Sequence, residues 1–391
     1  MTLDRVKLCL IITHIMSLSR RRLLRAVGGT FAGSLAWQLP PFPRSKSDEL
    51  EASAGPILLN RNESAYGPST AALAAIRASF LTANRYPTSE YASLTEKIAA
   101  FHRVKPEQIV LGAGSREILR MAAAAYLSHS KPLVLARPTY EPIAGFATAL
   151  NAEIKTVPLN ARHQHDLDSM LAQTGPSTGL VYICNPNNPT GTITPRKDLE
   201  MFLAKMPPDT TVLIDEAYHD YVARSADYSS FIDSPISDDR LIVLRTFSKL
   251  YGLAGLRVGY SVASPRMSQE LRANSLQWGV NTLGARAGLA ALDDQDFVAK
   301  IAKQNRDDRQ EFFNQSNARM LRWIDSQTNF VMLNGGLPPQ HIIDHFQKHR
   351  ILLGPLIPEM PKFVRCSLGT RPEMLEFWRA WDSLPPHPMA M

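Results

Sequence analysis

The sequence predicts an α/β protein: a mostly parallel sheet with helices on both faces, followed by a smaller α+β unit. Three observations carry this. Short runs such as PLVLA, GLVYIC, TVLID and RLIVLRT are rich in Val, Ile and Leu at both parities, as strands buried on two faces are. Helix-like segments, apolar at three- and four-residue spacing, separate most of these runs. Beyond about residue 290 the texture changes to one long amphipathic stretch and then shorter mixed segments.

Taken in order, residues 1–54 read as a leader and 55–90 as an arm. Residues 91–290 read as the large domain and 291–391 as the small one. STAALAAIRASFLTA and SEYASLTEKIAAFH carry helical spacing, with Ser69 and Ser89 as candidate N-caps. QIVLGAGS is a short strand that breaks into a glycine turn, and REILRMAAAAYLS is a helix. PLVLA, EIKTVPL, GLVYICN, TVLIDEA and RLIVLRT follow as strands. DDQDFVAKIAKQNRDDRQEFFNQSNARM opens the small unit as a long helix, and TNFVMLN, HIIDHFQKHR, ILLGP, KFVRCSLG and RPEMLEFWRAWDSL complete it. The arm is expected to pack on the small unit.

The composition is that of ordinary globular material: 391 residues, 45% hydrophobic and 20% charged. No run of 18 apolar residues suggests a membrane span. The pI of 9.3 invites a nucleic-acid role, but the charge is unevenly placed. Residues 1–54 hold eight Lys/Arg against four Asp/Glu, a net of +4; the rest holds 35 against 32, a net of +3. With no basic tract in the body, nucleic acid is excluded as a partner. Of the three cysteines, Cys9 lies in the leader; Cys184 and Cys366 are far apart with no metal spacing and are expected to be buried free thiols. Within the leader, Ser19, Arg20, Arg21, Leu23 and Leu24 form a twin-arginine pattern. A Gly/Ala-rich apolar stretch, Ala26 to Leu39, follows, and Ala52-Ser53-Ala54 is a small-x-small cleavage candidate. This layout predicts export by the Tat translocation machinery and a periplasmic or exported location.

Polar residues gather where the apolar strands end, and in open α/β sheets ligands sit beyond those ends. TVLID ends in Asp215, with Tyr218 three residues on. YICNPNNPTG places Asn185, Asn187 and Asn188 after another strand. Gly112, Gly114 and Ser115 stand at a helix start, where free N–H groups and the helix dipole favour an anion. TFSKLYGLAGLRVGY offers Thr246, Ser248, Lys249 and Arg257, and hydroxyls plus a guanidinium suit a phosphate. A lysine in apolar surroundings, a buried carboxylate, a phosphate cradle and an Asn/Tyr pair together point to pyridoxal 5'-phosphate. Its aldehyde takes the lysine amine, its ring nitrogen takes the carboxylate and its ring oxygen takes Asn and Tyr.

The chain resembles the fold-type I, class I/II aminotransferases, most closely the histidinol-phosphate aminotransferase branch, over roughly 55–375. LLNRNESAYGPS, NRYPTSEYASL, GAGSREIL, RPTYEP, CNPNNPTG, DEAY, SKLYGLAGLRVGY and VRCSLGT occur in family order. Asn188 precedes Asp215 by 27 positions, Asp215 precedes Lys249 by 34, and Lys249 precedes Arg257 by eight. The resemblance implies a large domain with a seven-stranded, mostly parallel sheet beside the small domain. It implies Lys249 as the Schiff-base lysine and proton carrier. Asp215 is implied at the ring nitrogen, Asn188 and Tyr218 at the ring oxygen, and Tyr140 on the ring face. Gly114, Ser115, Arg116, Ser248 and Arg257 would surround the phosphate. Tyr86 would reach the phosphate of a neighbouring subunit, hence a homodimer. Tyr66, Asn188 and Arg365 would bind substrate, with Arg365 gripping its carboxylate. The implied reaction moves an amino group between a donor, histidinol phosphate or a related amino acid, and a 2-oxo acid such as 2-oxoglutarate; no metal is implied.

Two departures bear on the substrate. Arg116 stands where the family carries a small or acidic residue, and LQWGVNTLGA, with Trp278 and Asn281, stands where it carries a proline-rich loop. The alternatives are a fold-type I decarboxylase or lyase with the same cofactor and a catalytically inert exported paralogue.

Overall fold

The computed structural model describes residues 55–385 apart from 224, 226 and 234–237. The twin-arginine pattern and its cleavage candidate lie outside the described residues.

The strands, in chain order, are β1 (Ile57–Leu59), β2 (Ile109–Ala113), β3 (Leu133–Arg137), β4 (Ile154–Pro158), β5 (Leu180–Cys184), β6 (Thr211–Asp215), β7 (Leu241–Thr246), β8 (Val258–Ala263), β9 (Arg322–Trp323), β10 (Phe330–Asn334), β11 (Ile351–Leu353) and β12 (Val364–Ser367). Seven of them form the main sheet in the order β2-β8-β7-β6-β5-β3-β4. Only β8 runs antiparallel to its neighbours in that sheet. It is also the strand that the periodicity does not single out, because Gly259 and Ser261 interrupt its apolar run.

Both faces of this sheet are buried, as the strands' double-sided apolar character requires. Val181 and Ile183 of β5 enter one core with Leu94, Ile98, Leu199 and Phe202 from covering helices. Leu180, Tyr182 and Cys184 enter the other, with Ile118, Leu119 and Met121 of the helix Ser115–Tyr126. The alternation follows from the two-residue period of a strand.

A second group of elements builds the smaller unit. The helix Gln295–Ala318 leads into a three-stranded antiparallel sheet, β12-β10-β9. Its core gathers Phe312, Phe346, Phe377, Trp378 and Trp381. The arm divides. Its β1 pairs in parallel with β11, on the small unit as expected. The helix Thr70–Ser79 instead packs on the helix Thr282–Asp293 and buries Ala72 in the core of the main sheet, which corrects that part of the expectation.

Ser69 caps the helix Thr70–Ser79 as expected, accepting from the Ala72 N–H at 3.2 Å. Ser89 does not act as a cap. The next helix begins at Thr88 with Pro87 in the capping place, and the Ser89 hydroxyl donates to the Glu90 carboxylate at 3.0 Å. Proline suits a helix start because it presents no N–H there. Cys184 and Cys366 are buried and free.

Candidate active site

β6 and β7 are parallel neighbours and end side by side. β6 ends on Asp215, and β7 runs on into Ser248 and Lys249. Asp215 is 1% exposed. One carboxylate oxygen accepts from the Tyr182 hydroxyl at 2.9 Å and the other from the Ala217 N–H at 3.0 Å. Burial outweighs these two donors, and its pKa is pushed up to about 6. No side-chain cation hydrogen-bonds to it among the described residues.

The Lys249 amine turns to the arm. It donates to the main-chain carbonyls of Asn62 at 2.9 Å and Arg61 at 3.3 Å, and lies 5.4 Å from the centre of the Tyr218 ring. Burial, and then the positive charge of Arg365, hold its pKa down to about 8, against the pull of Glu63 and Asp215. A carboxylate shifted up and an amine shifted down, both by desolvation, mark a site that lacks compensating charge of its own.

A chain of polar contacts closes the opposite wall. The Tyr218 hydroxyl accepts from the side-chain amides of Asn62 at 3.0 Å and Asn188 at 3.4 Å. The Asn188 carbonyl oxygen accepts from Arg365 at 2.7 Å, and the other end of the Arg365 fork donates to the Asn60 carbonyl at 3.1 Å. The Arg365 Nε is buried with no hydrogen-bond partner among the described residues. β12 carries Arg365, the turn after β5 carries Asn188, and the arm supplies Asn62.

The third wall is a cradle for an anion. Gly114 takes φ +75° at the start of the helix Ser115–Tyr126. A Cβ there would run into the Arg257 guanidinium, and one on Gly259 would run into the backbone of Gly114 and Ser115. These glycines let β2, β8 and the helix start converge. Arg257 donates to the Ser248 hydroxyl at 3.3 Å and the Ala254 carbonyl at 2.9 Å. A helix N-terminus, a hydroxyl and a guanidinium meet here, the donor set that binds phosphate.

Other residues singled out in the sequence are placed less centrally. Tyr140 is half-buried after β3; burial and the charge of Asp215 raise its pKa, while Arg116 and Arg257 act the other way. Arg116 itself is exposed. Tyr66 donates to the Asp308 carboxylate at 2.5 Å and packs beside the cluster that holds Tyr218. Tyr86 is 78% exposed, its ring 6.3 Å from that of Trp278. The Trp278 segment is anchored to the cradle helix, since the Leu276 N–H donates to Glu117 at 3.0 Å.

Three residues of the site were given no role by the sequence. Asn62 sits in the arm, and its main-chain carbonyl meets Lys249 while its amide meets Tyr218. Asn329, just before β10, donates to the carbonyls of Asn62 at 3.1 Å and Glu63 at 3.0 Å and so fixes that stretch. Tyr182, the donor to Asp215, reads as core; only its hydroxyl, alone in the run LVYIC, could have marked it.

A family model for aminotransferases of class I and II matches residues 54–380. Histidinol-phosphate aminotransferase from Geobacillus thermodenitrificans is 33% identical over 339 residues, 85% of this chain and 92% of that protein. Its counterpart from Moorella thermoacetica is 34% identical over 345 residues, 87% and 89% of the two chains. Among solved structures, histidinol-phosphate aminotransferase from Sinorhizobium meliloti in complex with pyridoxal-5'-phosphate aligns with a TM-score of 0.78 at 27% identity, over 90% of this chain and 98% of that one. L-threonine-O-3-phosphate decarboxylase from Porphyromonas gingivalis shares the fold, with a TM-score of 0.72 at 19% identity, over 83% and 98% of the two chains.

Proposed function

The chain belongs to the class I and II aminotransferases, and from that premise we propose that it binds pyridoxal 5'-phosphate in this site and moves an amino group from histidinol phosphate or a related amino acid to a 2-oxo acid such as 2-oxoglutarate. The observation that carries the reading is the pairing of Asp215 and Lys249. A buried carboxyl held up to about 6 and an amine held down to about 8 face one space, with neither bonded to the other. The residues fit the cofactor on three counts. Among the described residues the Asp215 carboxylate bonds to no side-chain cation, Gly114, Ser115, Ser248 and Arg257 bring a helix start, a hydroxyl and a guanidinium together, and the Lys249 amine feels the charges of both Asp215 and Arg257.

Bound there, the cofactor supplies an aldehyde carbon for the amine and a ring that draws electrons from the donor's α-carbon. Asp215 would hold the proton on the ring nitrogen, and Tyr182 and the Ala217 N–H hold Asp215 in place. Asn188 and Tyr218 would bind the ring oxygen, and Tyr140 would cover a ring face. Lys249, neutral for a sizeable fraction near pH 8, would take the proton from the substrate α-carbon and deliver it to the cofactor's aldehyde carbon, two atoms along. The Asn62 carbonyl holds the free amine between these transfers. Arg365, with its Nε free of other partners, grips the substrate carboxylate.

A second copy of the chain completes the site in this reading. Tyr86, exposed with Phe80 and Leu81, would meet the partner's phosphate, and a homodimer in light scattering tests it. Export by the twin-arginine route is likewise proposed on the leader pattern; a periplasmic fraction that loses the protein on Arg20→Lys, Arg21→Lys tests that.

The visible spectrum of the purified protein decides the chemistry. A yellow band lost on adding L-histidinol phosphate or an amino acid, and regained with 2-oxoglutarate, is the expected result. A band that no donor moves overturns transamination in favour of the bond-breaking chemistry of a decarboxylase or lyase.

A further inference from the structure

A cavity of about 470 Å³ lies between the ends of β3 and β4 and the loop before β12. That volume is in the range of small-molecule sites. None of the residues assigned above to cofactor or substrate lines it. Its body is apolar, with Pro158, Leu159, Met360 and Phe363 among the walls, and Arg137, Glu359 and Lys362 provide the charge. Arg137 pairs with Glu359 from the facing wall, through side chains that are 53% and 25% exposed. A pair that wet is weak and can open. Lys362 makes no ion pair among the described residues. His163 stands edge-on to Phe363 at 6.0 Å, and burial lowers its pKa, which keeps the ring neutral at pH 7. The lining therefore has one positive charge in excess over an apolar floor.

The walls also lead into the site. Arg137 is three residues before Tyr140, and Phe363 is two before Arg365. The His163 carbonyl accepts from the hydroxyls of Thr190 at 3.3 Å and Thr192 at 2.6 Å, and Thr190 in turn accepts from the Asn187 amide at 3.0 Å, next to Asn188.

We propose that this cavity is a second small-molecule site, for a monocarboxylate with an aromatic or branched apolar body, whose occupancy changes the apparent affinity of the main site for its carboxylate substrate. The carboxylate meets Lys362, and Arg137 once it leaves Glu359; the body lies on Pro158, Leu159, Met360 and Phe363. The binding claim is independent of the aminotransferase reading, and only the coupling claim rests on it.

The test is calorimetric titration of the holoenzyme with phenylacetate and 4-methylpentanoate, repeated on four variants. Lys362→Ala is expected to weaken binding about tenfold or more, the scale of one charge-assisted hydrogen bond. Thr156→Trp, at the cavity wall, is expected to abolish it by filling the space. Glu359→Gln is expected to tighten it by freeing Arg137. Arg365→Ala is expected to leave it in place. Phenylacetate should also shift KM for the amino donor in the wild type and not in Thr156→Trp. Binding that survives Thr156→Trp and Lys362→Ala but disappears with Arg365→Ala would place these acids in the main site and overturn the proposal. No binding at millimolar ligand would overturn it as well. An unmoved KM with intact binding would remove the coupling claim alone.

Discussion

Two cation–carboxylate sets share the ends of β6 and β7 in this protein. Asp215 and Glu216 are consecutive at the end of β6, and Lys249 and Arg245 come from the same stretch after and within β7. All but Lys249 are almost fully buried. Glu216 accepts from the Arg245 Nε at 2.8 Å, the Ser230 hydroxyl at 2.7 Å and the Phe231 N–H at 3.0 Å. Arg245 also donates to Ser230 at 2.8 Å. Burial presses the Arg245 pKa down, but Glu216, Tyr260 and Asp220 lift it further, and the net shift is upward. Asp215 and Lys249 are shifted the opposite way, towards neutrality, because they bond to neutral groups and not to each other. Glu216 and Arg245 are complete in themselves and hold the sheet end together. Asp215 and Lys249 are not paired with each other. Burial of charge alone does not separate the two cases; the direction of the shifts does.

Removing members of each pair should separate activity from stability. Lys249→Ala is expected to cut turnover by on the order of 10⁴-fold or more without lowering the urea midpoint, measured by coupled assay and circular dichroism. Arg245→Ala should do the reverse. Leaving Glu216 buried without its partner costs about 3–5 kcal/mol, read from urea unfolding, and the protein that remains folded should keep its turnover. Equal losses in both measurements for both variants would erase the distinction.

Asp215→Asn sharpens it further through pH. A carboxyl whose folded pKa is raised from 3.8 to about 6 favours the fold at low pH, and that contribution is lost as the pH climbs through this window. An amine lowered from 10.5 to about 8 favours the fold at high pH, and its contribution is lost as the pH falls to about 8. Between about 6 and 8 the cofactor-free chain has neither. Asp215→Asn should therefore stabilise it at pH 7 by on the order of 2 kcal/mol, with the gain vanishing near pH 4, while turnover falls on the order of 10²-fold. Thermal melts of the cofactor-free protein across pH are the check. Tyr182→Phe, the mildest change, removes one donor to Asp215. It should move the acid limb of the kcat/KM profile upward and cost roughly fivefold, about 1 kcal/mol.

The parts legible in the sequence were those where chemistry interrupts a local pattern. Lys249 and Asp215 stand out because each breaks an apolar run at a strand end, and the buried parallel strands show themselves at both parities. β8 was hidden because its glycine serves another purpose: Gly259 makes room for the backbone of Ser115. Asn62 and Asn329 gave no signal because their roles depend on contacts with chain far away. Tyr182 looks like core, and the structure makes it the donor to Asp215. Which neighbour a polar side chain finds is tertiary information, and local spacing does not carry it.

The arm ties the first described strand to one of the last. β1 pairs with β11, the Asn62 N–H donates to the Ser367 hydroxyl at 2.8 Å, and Arg365 donates to the Asn60 carbonyl, each of these two bonds spanning 305 positions. During synthesis, then, Lys249 emerges well before the residues that anchor the carbonyls it bonds to, and the arm has no partner strand until β11 has left the ribosome. Such distant pairing closes late. A nascent chain would carry the lysine without its arm contacts for about a hundred residues, from Lys249 until Ile351 opens β11, and those contacts would form only when the arm and β11 clasp.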